Sequence, residues 1–256
     1  MKKQIALICA TLILGSMLTG CAKGTGSKNY VRPAYQSDSE IQYQTPAEGA
    51  PTATIVTSMG TIKAVLYPTL APMAVENFIG LAQQGYFNGI KFHRVVKDFV
   101  VQSGDATGTG EGGASIWNNN PYATEITDKL HHYSGALSMA HPSGDTTQNL
   151  SQFYIVQTPK DNIDKTLAEK LTAAGVREAV VSTYKSVGGA PYLDNLNTVF
   201  GQIYRGMNVI DAIGNAECND NDQPLEDILI ESVTIGAYSA AAEAAELAAA
   251  ESQAQK

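Results

Sequence analysis

The stretch FHRVVKDFVVQSGD, residues 92–105, sets the reading of the whole chain. Two runs rich in β-branched and aromatic residues flank Lys97-Asp98, the pattern of a β-hairpin. Arg94 interrupts the first run, and Gln102 ends the second just ahead of a glycine-rich segment. A two-residue loop at Lys97-Asp98 pairs Arg94 with Val101, placing Arg94 and Phe99 on one face and Gln102 on the other. For Gln102 to join Arg94, the second strand has to bend or bulge.

Outward from this hairpin the punctuation is mostly that of strands. Residues 53–57 and 61–67 flank Ser58-Met59-Gly60, and further short runs follow at 91–96, 99–102, 135–139, 152–157, 198–204 and 228–235. One amphipathic helix opens at Ala71-Pro72, carries Val75, Phe78, Ile79 and Ala82 at helical spacing, and stops at Gly85. A second short helix is expected over 207–213. Many short strands with few helices predict a mainly β domain, an antiparallel barrel or sandwich. Residues 161–186 break the pattern: Ile163, Leu167 and Leu171, then Val176, Val180 and Tyr184, repeat at helical spacing around Gly175 and predict an inserted helical hairpin.

The ends of the chain bound where it works. Met1-Lys2-Lys3 and the apolar stretch over 5–18 form a signal peptide, too short and too abruptly ended for a membrane span. It closes with Leu18-Thr19-Gly20-Cys21, which resembles the bacterial lipobox; the alternative is a plain signal peptide with a chance cysteine. On the lipobox reading residues 1–20 are removed, Cys21 is lipidated, and acyl chains at roughly 0.8 kcal/mol per buried methylene hold the protein to the extracytoplasmic face of the cell membrane. Residues 21–51 read as a flexible tether, 52–236 as the folded domain, and 237–256 as an Ala/Glu-rich tail with no apolar face to dock, frayed or solvated. Of the three cysteines only Cys218 then remains, so no intramolecular disulfide forms.

Several chemistries are excluded by pattern. A net charge of −8 without a basic stripe argues against nucleic acid. GTGEGG, residues 108–113, satisfies G-x-G-x-x-G, but the residues after it cannot start the helix whose N-terminus would hold a pyrophosphate. His131 and His132 are adjacent and face apart on a strand, while His93 and His141 stand alone, so no metal and no cofactor is expected. No serine sits in a nucleophile elbow.

Taken in order, FHRVV (92–96), FVVQSGD (99–105), TGTG (107–110), ALSMA (136–140), SQFYI (151–155) and LD (193–194) through VFG (199–201) resemble the successive motifs of the cyclophilins. The resemblance covers nearly all of residues 52–236 apart from the insertion. It implies a closed eight-stranded antiparallel barrel capped by two helices, and peptidyl-prolyl cis-trans isomerase activity. That chemistry breaks no bond. It needs a grip on the proline ring and a donor that prefers the twisted amide, whose rotation otherwise faces a barrier of roughly 18–20 kcal/mol.

By resemblance Arg94 is the catalytic donor and Gln102 orients it. Phe99, Val100, Ala140, Gln152, Tyr154 and Leu193 build the proline pocket, with His141, Tyr192 and Asn197 on its rim. Period-2 alternation puts Gln152 and Tyr154 on one face and Phe153 in the core. The family usually has Phe at Tyr154, Met at Val100, Asn at His141, and Trp or His at Tyr192 and Asn197. These departures retune the pocket, and they leave at most weak cyclosporin binding, for which the family relies partly on the rim Trp. Expected partners are proline-containing unfolded or exported polypeptides. A proline-binding or chaperone module with little turnover is the rival reading, while a solute-binding lipoprotein lacks its two α/β lobes. The insertion precedes Tyr192-Leu193 and is expected beside the pocket.

Overall fold

The computed structural model describes residues 36–254, with 38 and 143 excepted. The signal peptide and Cys21 lie outside the described residues. Eight strands form one antiparallel sheet: β1 (Pro51–Thr57), β2 (Gly60–Leu66), β3 (Arg94–Val96), β4 (Val100–Ser103), β5 (Ala136–Met139), β6 (Phe153–Val156), β7 (Val199–Arg205) and β8 (Ile230–Ala237). Their spatial order is β3-β4-β6-β5-β7-β2-β1-β8. The described residues also hold five α-helices, α1 (Pro72–Gln83), α2 (Lys165–Ala173), α3 (Glu178–Val187), α4 (Met207–Gly214) and α5 (Ala240–Ala254).

The sheet curls into a half-barrel, a correction to the closed barrel expected from sequence. The predicted strand over 91–96 is laddered only from Arg94, and the Val95 N–H donates away from β4 to the Asp222 carbonyl at 2.7 Å. The seam between the edges is made by irregular segments. Phe92 N–H donates to Ile228 O at 2.9 Å, Ile230 N–H to Ile90 O at 2.8 Å, and Lys91 bridges Leu229.

Strand parity divides the molecule into two apolar regions. Val101, Phe153, Ile155 and Phe200 point inward and pack with Phe78 of α1, Phe87 and Ile210 and Ile213 of α4. Phe78 stands 5.0 Å from Phe87, 5.4 Å from Phe200 and 5.7 Å from Phe153, ring centre to centre. Such aromatic contacts add roughly 0.5–1.5 kcal/mol each beyond area burial. The alternate residues Val100, Tyr154 and Val156 point outward into a second cluster with Val65, Tyr67, Leu130 and Val199. Helix α1 starts at Pro72, and the Glu125 carboxylate accepts from the N–H groups of Met73 at 3.1 Å and Ala74 at 2.9 Å, satisfying donors that no helix can bond itself.

The inserted hairpin is present as α2 and α3. Asp164 caps α2 by accepting from Leu167 N–H at 2.7 Å, and the pair buries Leu171, Val180 and Tyr184 against Tyr133 of the barrel. Two terminal expectations are corrected. Residues 39–50, assigned to the tether, pack on the domain: Glu40 is 2 % exposed, and the Gln42 amide bonds the His131 backbone at both N–H and C=O. The tail docks as α5 without an apolar face, because Glu243 meets Lys63 at 2.8 Å, Arg205 at 2.9 Å and the Tyr204 hydroxyl at 3.1 Å.

Candidate active site

The hairpin of β3 and β4 is built on a three-residue loop, 97–99. Asp98 adopts φ +58°, a left-handed conformation in which Asp and Asn are enriched, and the Phe99 N–H donates to Val96 O at 3.1 Å. The register becomes Arg94 opposite Gln102, Val95 opposite Val101 and Val96 opposite Val100. This corrects the expected pairing of Arg94 with Val101. The extra loop residue changes the parity, so Arg94 and Gln102 stand side by side on the outer face and no bulge in β4 is needed.

Gln102 is held from behind. Its Nε2 donates to Gln152 Oε1 at 2.9 Å, and Gln152 Nε2 in turn donates to the carbonyls of Gly110 at 2.8 Å and Gly112 at 2.7 Å. The glycine-rich loop that supplies these carbonyls wraps a buried carboxylate. Asp105 accepts from the N–H groups of Thr107 at 2.8 Å, Gly110 at 2.7 Å and Gly112 at 3.1 Å, and from the Thr107 hydroxyl at 2.8 Å. Burial alone would raise the Asp105 pKa, but the Thr107 and glycine donors outweigh it and bring it down to about 2. The G-x-G-x-x-G letters thus encode a carboxylate-centred turn that fixes one glutamine and, through it, a second.

Arg94 is less constrained. Its Nε lies 3.7 Å from Asp222 Oδ2, with the two side chains 39 % and 49 % exposed, a separation and exposure at which an ion pair contributes little. The guanidinium fork is therefore free to turn to a ligand. Next to it, Phe99, Val100, Ala140, Tyr154, Tyr192 and Leu193 belong to one apolar cluster, with the rings of Phe99 and Tyr192 5.8 Å apart. Burial pushes the Tyr192 hydroxyl up to about 12, against the opposing pull of the nearby Arg94 charge.

The rim residues have structural ties. The ring nitrogens of His141 sit 2.9 Å from Pro142 O and 3.1 Å from Leu196 O, and Asn197 Nδ2 donates to Met139 O at 3.2 Å. The Tyr154 hydroxyl is buried opposite the Ser138 hydroxyl, which interacts with it electrostatically, although no hydrogen bond of good geometry closes between them. Burial holds the Tyr154 pKa well above its ordinary value, so it stays a neutral O–H.

Sequence reasoning missed Asp105, Asp194 and the two histidines before β5. His131 and His132 do not face apart; both Nδ1 atoms lie 2.9 Å from the Asp194 carboxylate, because these residues precede β5 and strand alternation does not govern them. His93 is buried, and desolvation lowers its pKa despite the opposing charge of Asp105. No cluster of three or more metal-ligating side chains occurs among the described residues.

Residues 52–235 match the family model described as cyclophilin type peptidyl-prolyl cis-trans isomerase/CLD. A provisionally named peptidyl-prolyl cis-trans isomerase of Staphylococcus saprophyticus is 41 % identical over 179 residues, covering 70 % of this chain and 88 % of that protein. A Streptococcus pyogenes protein provisionally named a bifunctional phosphatase/peptidyl-prolyl cis-trans isomerase is 40 % identical over 203 residues, 77 % of this chain, which spans only 42 % of that relative's length. Among solved structures, a Cryptosporidium parvum cyclophilin type peptidyl-prolyl cis-trans isomerase crystallised in the presence of the dipeptide Ala-Pro superposes with a TM-score of 0.59 at 27 % identity, covering 73 % of this chain and 99 % of that one.

Proposed function

Since this chain belongs to the cyclophilin-type peptidyl-prolyl cis-trans isomerase family, we propose that it accelerates X-Pro bond rotation in exported polypeptides through Arg94. The observation that carries the reading is the register of the β3–β4 hairpin, which sets Arg94 beside Gln102 on the same outer face as the Val100 and Tyr154 wall. The proline ring packs on Phe99, Val100, Tyr154 and Leu193, which share one apolar cluster beside Arg94. Gln102, oriented by Gln152, bonds the peptide backbone with the amide groups that Gln152 leaves unused.

Twisting the amide removes the conjugation between nitrogen and carbonyl, leaving a prolyl nitrogen with a basic lone pair. The Arg94 fork donates to the prolyl carbonyl and, as the twist develops, to that lone pair. A donor bond made only in the twisted state lowers the barrier without tightening ground-state binding, and each 1.36 kcal/mol is tenfold in rate. Because the guanidinium is only loosely tied to Asp222, little has to be broken before it swings onto substrate.

The test is a prolyl-isomerase assay on residues 36–256 of wild type and Arg94→Ala. A loss of roughly 10²–10³ in kcat/KM is expected, the range for removing one preorganised donor. Equal rates for both proteins refute the reading and favour a proline-binding module with little turnover. We place the protein on the extracytoplasmic membrane face through lipid on Cys21, where uncatalysed isomerisation takes tens of seconds. Incorporation of labelled palmitate into the full chain but not into Cys21→Ser supports this, and equal labelling refutes it.

A further inference from the structure

One largely buried carboxylate, its side chain 16 % exposed, joins three parts of the chain behind the pocket. Asp194 directly follows the Pro191–Leu193 turn that presents Tyr192 and Leu193. Its Oδ1 accepts from the His132 N–H at 2.8 Å and lies 2.9 Å from His132 Nδ1. Its Oδ2 lies 2.9 Å from His131 Nδ1 and accepts from the Tyr184 hydroxyl at 2.8 Å. His131 and His132 lead into β5, and the His132 ring stacks on Tyr154 of the pocket wall with centroids 6.0 Å apart and planes 20° from parallel. Tyr184 belongs to α3 of the insertion, is fully buried, and packs 4.6 Å from Tyr133.

The far end of the turn has its own ties, the His141 ring nitrogen 3.1 Å from Leu196 O and Asn197 Nδ2 donating to Met139 O at 3.2 Å, but these lie beyond Tyr192-Leu193. No strand ladder includes residues 191–197, and Asn195 sits at φ +65°. On the Tyr192-Leu193 side the backbone is tied to the rest of the barrel through Ala190 N–H to His132 O at 2.8 Å, at the same histidine. Direction as well as position of the turn therefore depends on the bonds to Asp194. Three of these come from the barrel and the fourth from a segment inserted into it.

We infer that Asp194 is a positioning residue for the proline pocket, pinning the Tyr192-Leu193 wall to the histidine pair, and that the inserted hairpin acts through Tyr184 as a buttress for that wall. The inference rests on the proline-pocket reading above. The hairpin is in turn held by the strap before β1, where Glu40 accepts from the Tyr133 hydroxyl at 3.0 Å and pairs with Arg177 at 3.1 Å. A pull on the strap thus has a bonded route to the pocket wall.

The test compares wild type, Tyr184→Phe and Asp194→Asn in three measurements: kcat and KM for a short Ala-Pro peptide by exchange NMR, the Kd of the same peptide by calorimetry, and thermal midpoint. Tyr184→Phe removes one hydroxyl and keeps the packing of α3. KM and Kd are expected to rise about threefold to tenfold in Tyr184→Phe, because only part of one lost hydrogen bond to the carboxylate is felt at the wall, and further in Asp194→Asn. The kcat should stay within about twofold, since Arg94 and Gln102 stand on β3 and β4. Should Asp194→Asn fail to fold, Tyr184→Phe decides alone. Unchanged KM and Kd in Tyr184→Phe, whatever its thermal midpoint, overturn the buttress and leave the isomerase reading standing. A wild type that binds the peptide without turning it over overturns the isomerase reading instead, and the Kd values still decide the buttress. A wild type that neither binds nor turns over overturns both.

Discussion

Replacing Tyr154 by Phe should make the protein more stable. Tyr154 is 6 % exposed, and its hydroxyl is shielded from solvent, with an electrostatic tie to the Ser138 hydroxyl but no hydrogen bond of good geometry. A buried polar group left unpaired costs roughly 1–3 kcal/mol, because it gives up its bonds to water and gains none. Phenylalanine removes that penalty but leaves a void the size of one oxygen, so the net gain should be about 1 kcal/mol. For a domain of this size that is roughly 2–4 °C in Tm. The cross-strand neighbour Ser138 supplies the control, since its hydroxyl is the other half of that poorly formed contact. Thermal unfolding of Tyr154→Phe, Ser138→Ala and the double variant completes a cycle. Additive gains are expected, together with tighter proline-peptide binding by the more apolar wall. If Tyr154→Phe lowers Tm and the double variant recovers the loss, the two hydroxyls bond each other and the reasoning is wrong.

Two further outcomes test the supports of the site. Gly104 has φ +91°, and a Cβ there would be driven onto the Ser151 carbonyl oxygen, next to Gln152, whereas Gly175 at φ +81° has open space around it. Gly175→Ala should cost about 1 kcal/mol of unfolding free energy from backbone strain alone, Gly104→Ala clearly more and with a loss of isomerase rate; equal costs in denaturant titrations would count against the contact. For Asp194, burial would raise the pKa, but the donors His131 and His132 bring it from 3.8 down to about 2. A depressed carboxylate stabilises the fold fully above 3.8 and loses that contribution as pH falls through about 2, worth on the order of 2 kcal/mol. The stability gap between wild type and Asp194→Asn should therefore shrink between pH 4 and pH 2, and a gap that stays constant refutes the assignment.

The strands and α1 were legible because their signals are local: β-branched runs, Gly60, Pro72 and Gly85 each act within a few residues. Parity at the β3–β4 turn was not. It depends on Asp98 taking a left-handed conformation that its sequence neighbours permit but do not require. The proposed pocket residues stand out only as a pattern of motifs, since Phe99, Tyr154 and Leu193 would otherwise pass for core. Asp105, His131 and Asp194 were hidden for a different reason, as their partners lie in irregular segments where no periodicity operates. The docking of α5 was invisible because it rests on Lys63 and Arg205, distant in sequence, and not on an apolar stripe.

The turn at Asp98 carries more than a connection. In β4, Val101 fills the inner core while Val100 and Gln102 line the outer site, so a slip of one residue would bury the glutamine and expose the core valine. The three-residue loop fixes which set faces the substrate, and the Gln157 side chain accepting from Asp98 N–H at 2.8 Å locks that loop to the end of β6. Catalysis by a donor that must favour a twisted amide over a planar one depends on where the donor sits, because a misplacement of about 1 Å is enough to erode it. Arg94 is only loosely paired at its tip yet rooted on this register-locked strand pair, with Gln102 braced through Gln152 onto the Asp105 turn. On the proposed mechanism, freedom is confined to the group that would follow the rotating bond, and the groups that would hold the peptide are the ones the fold has immobilised.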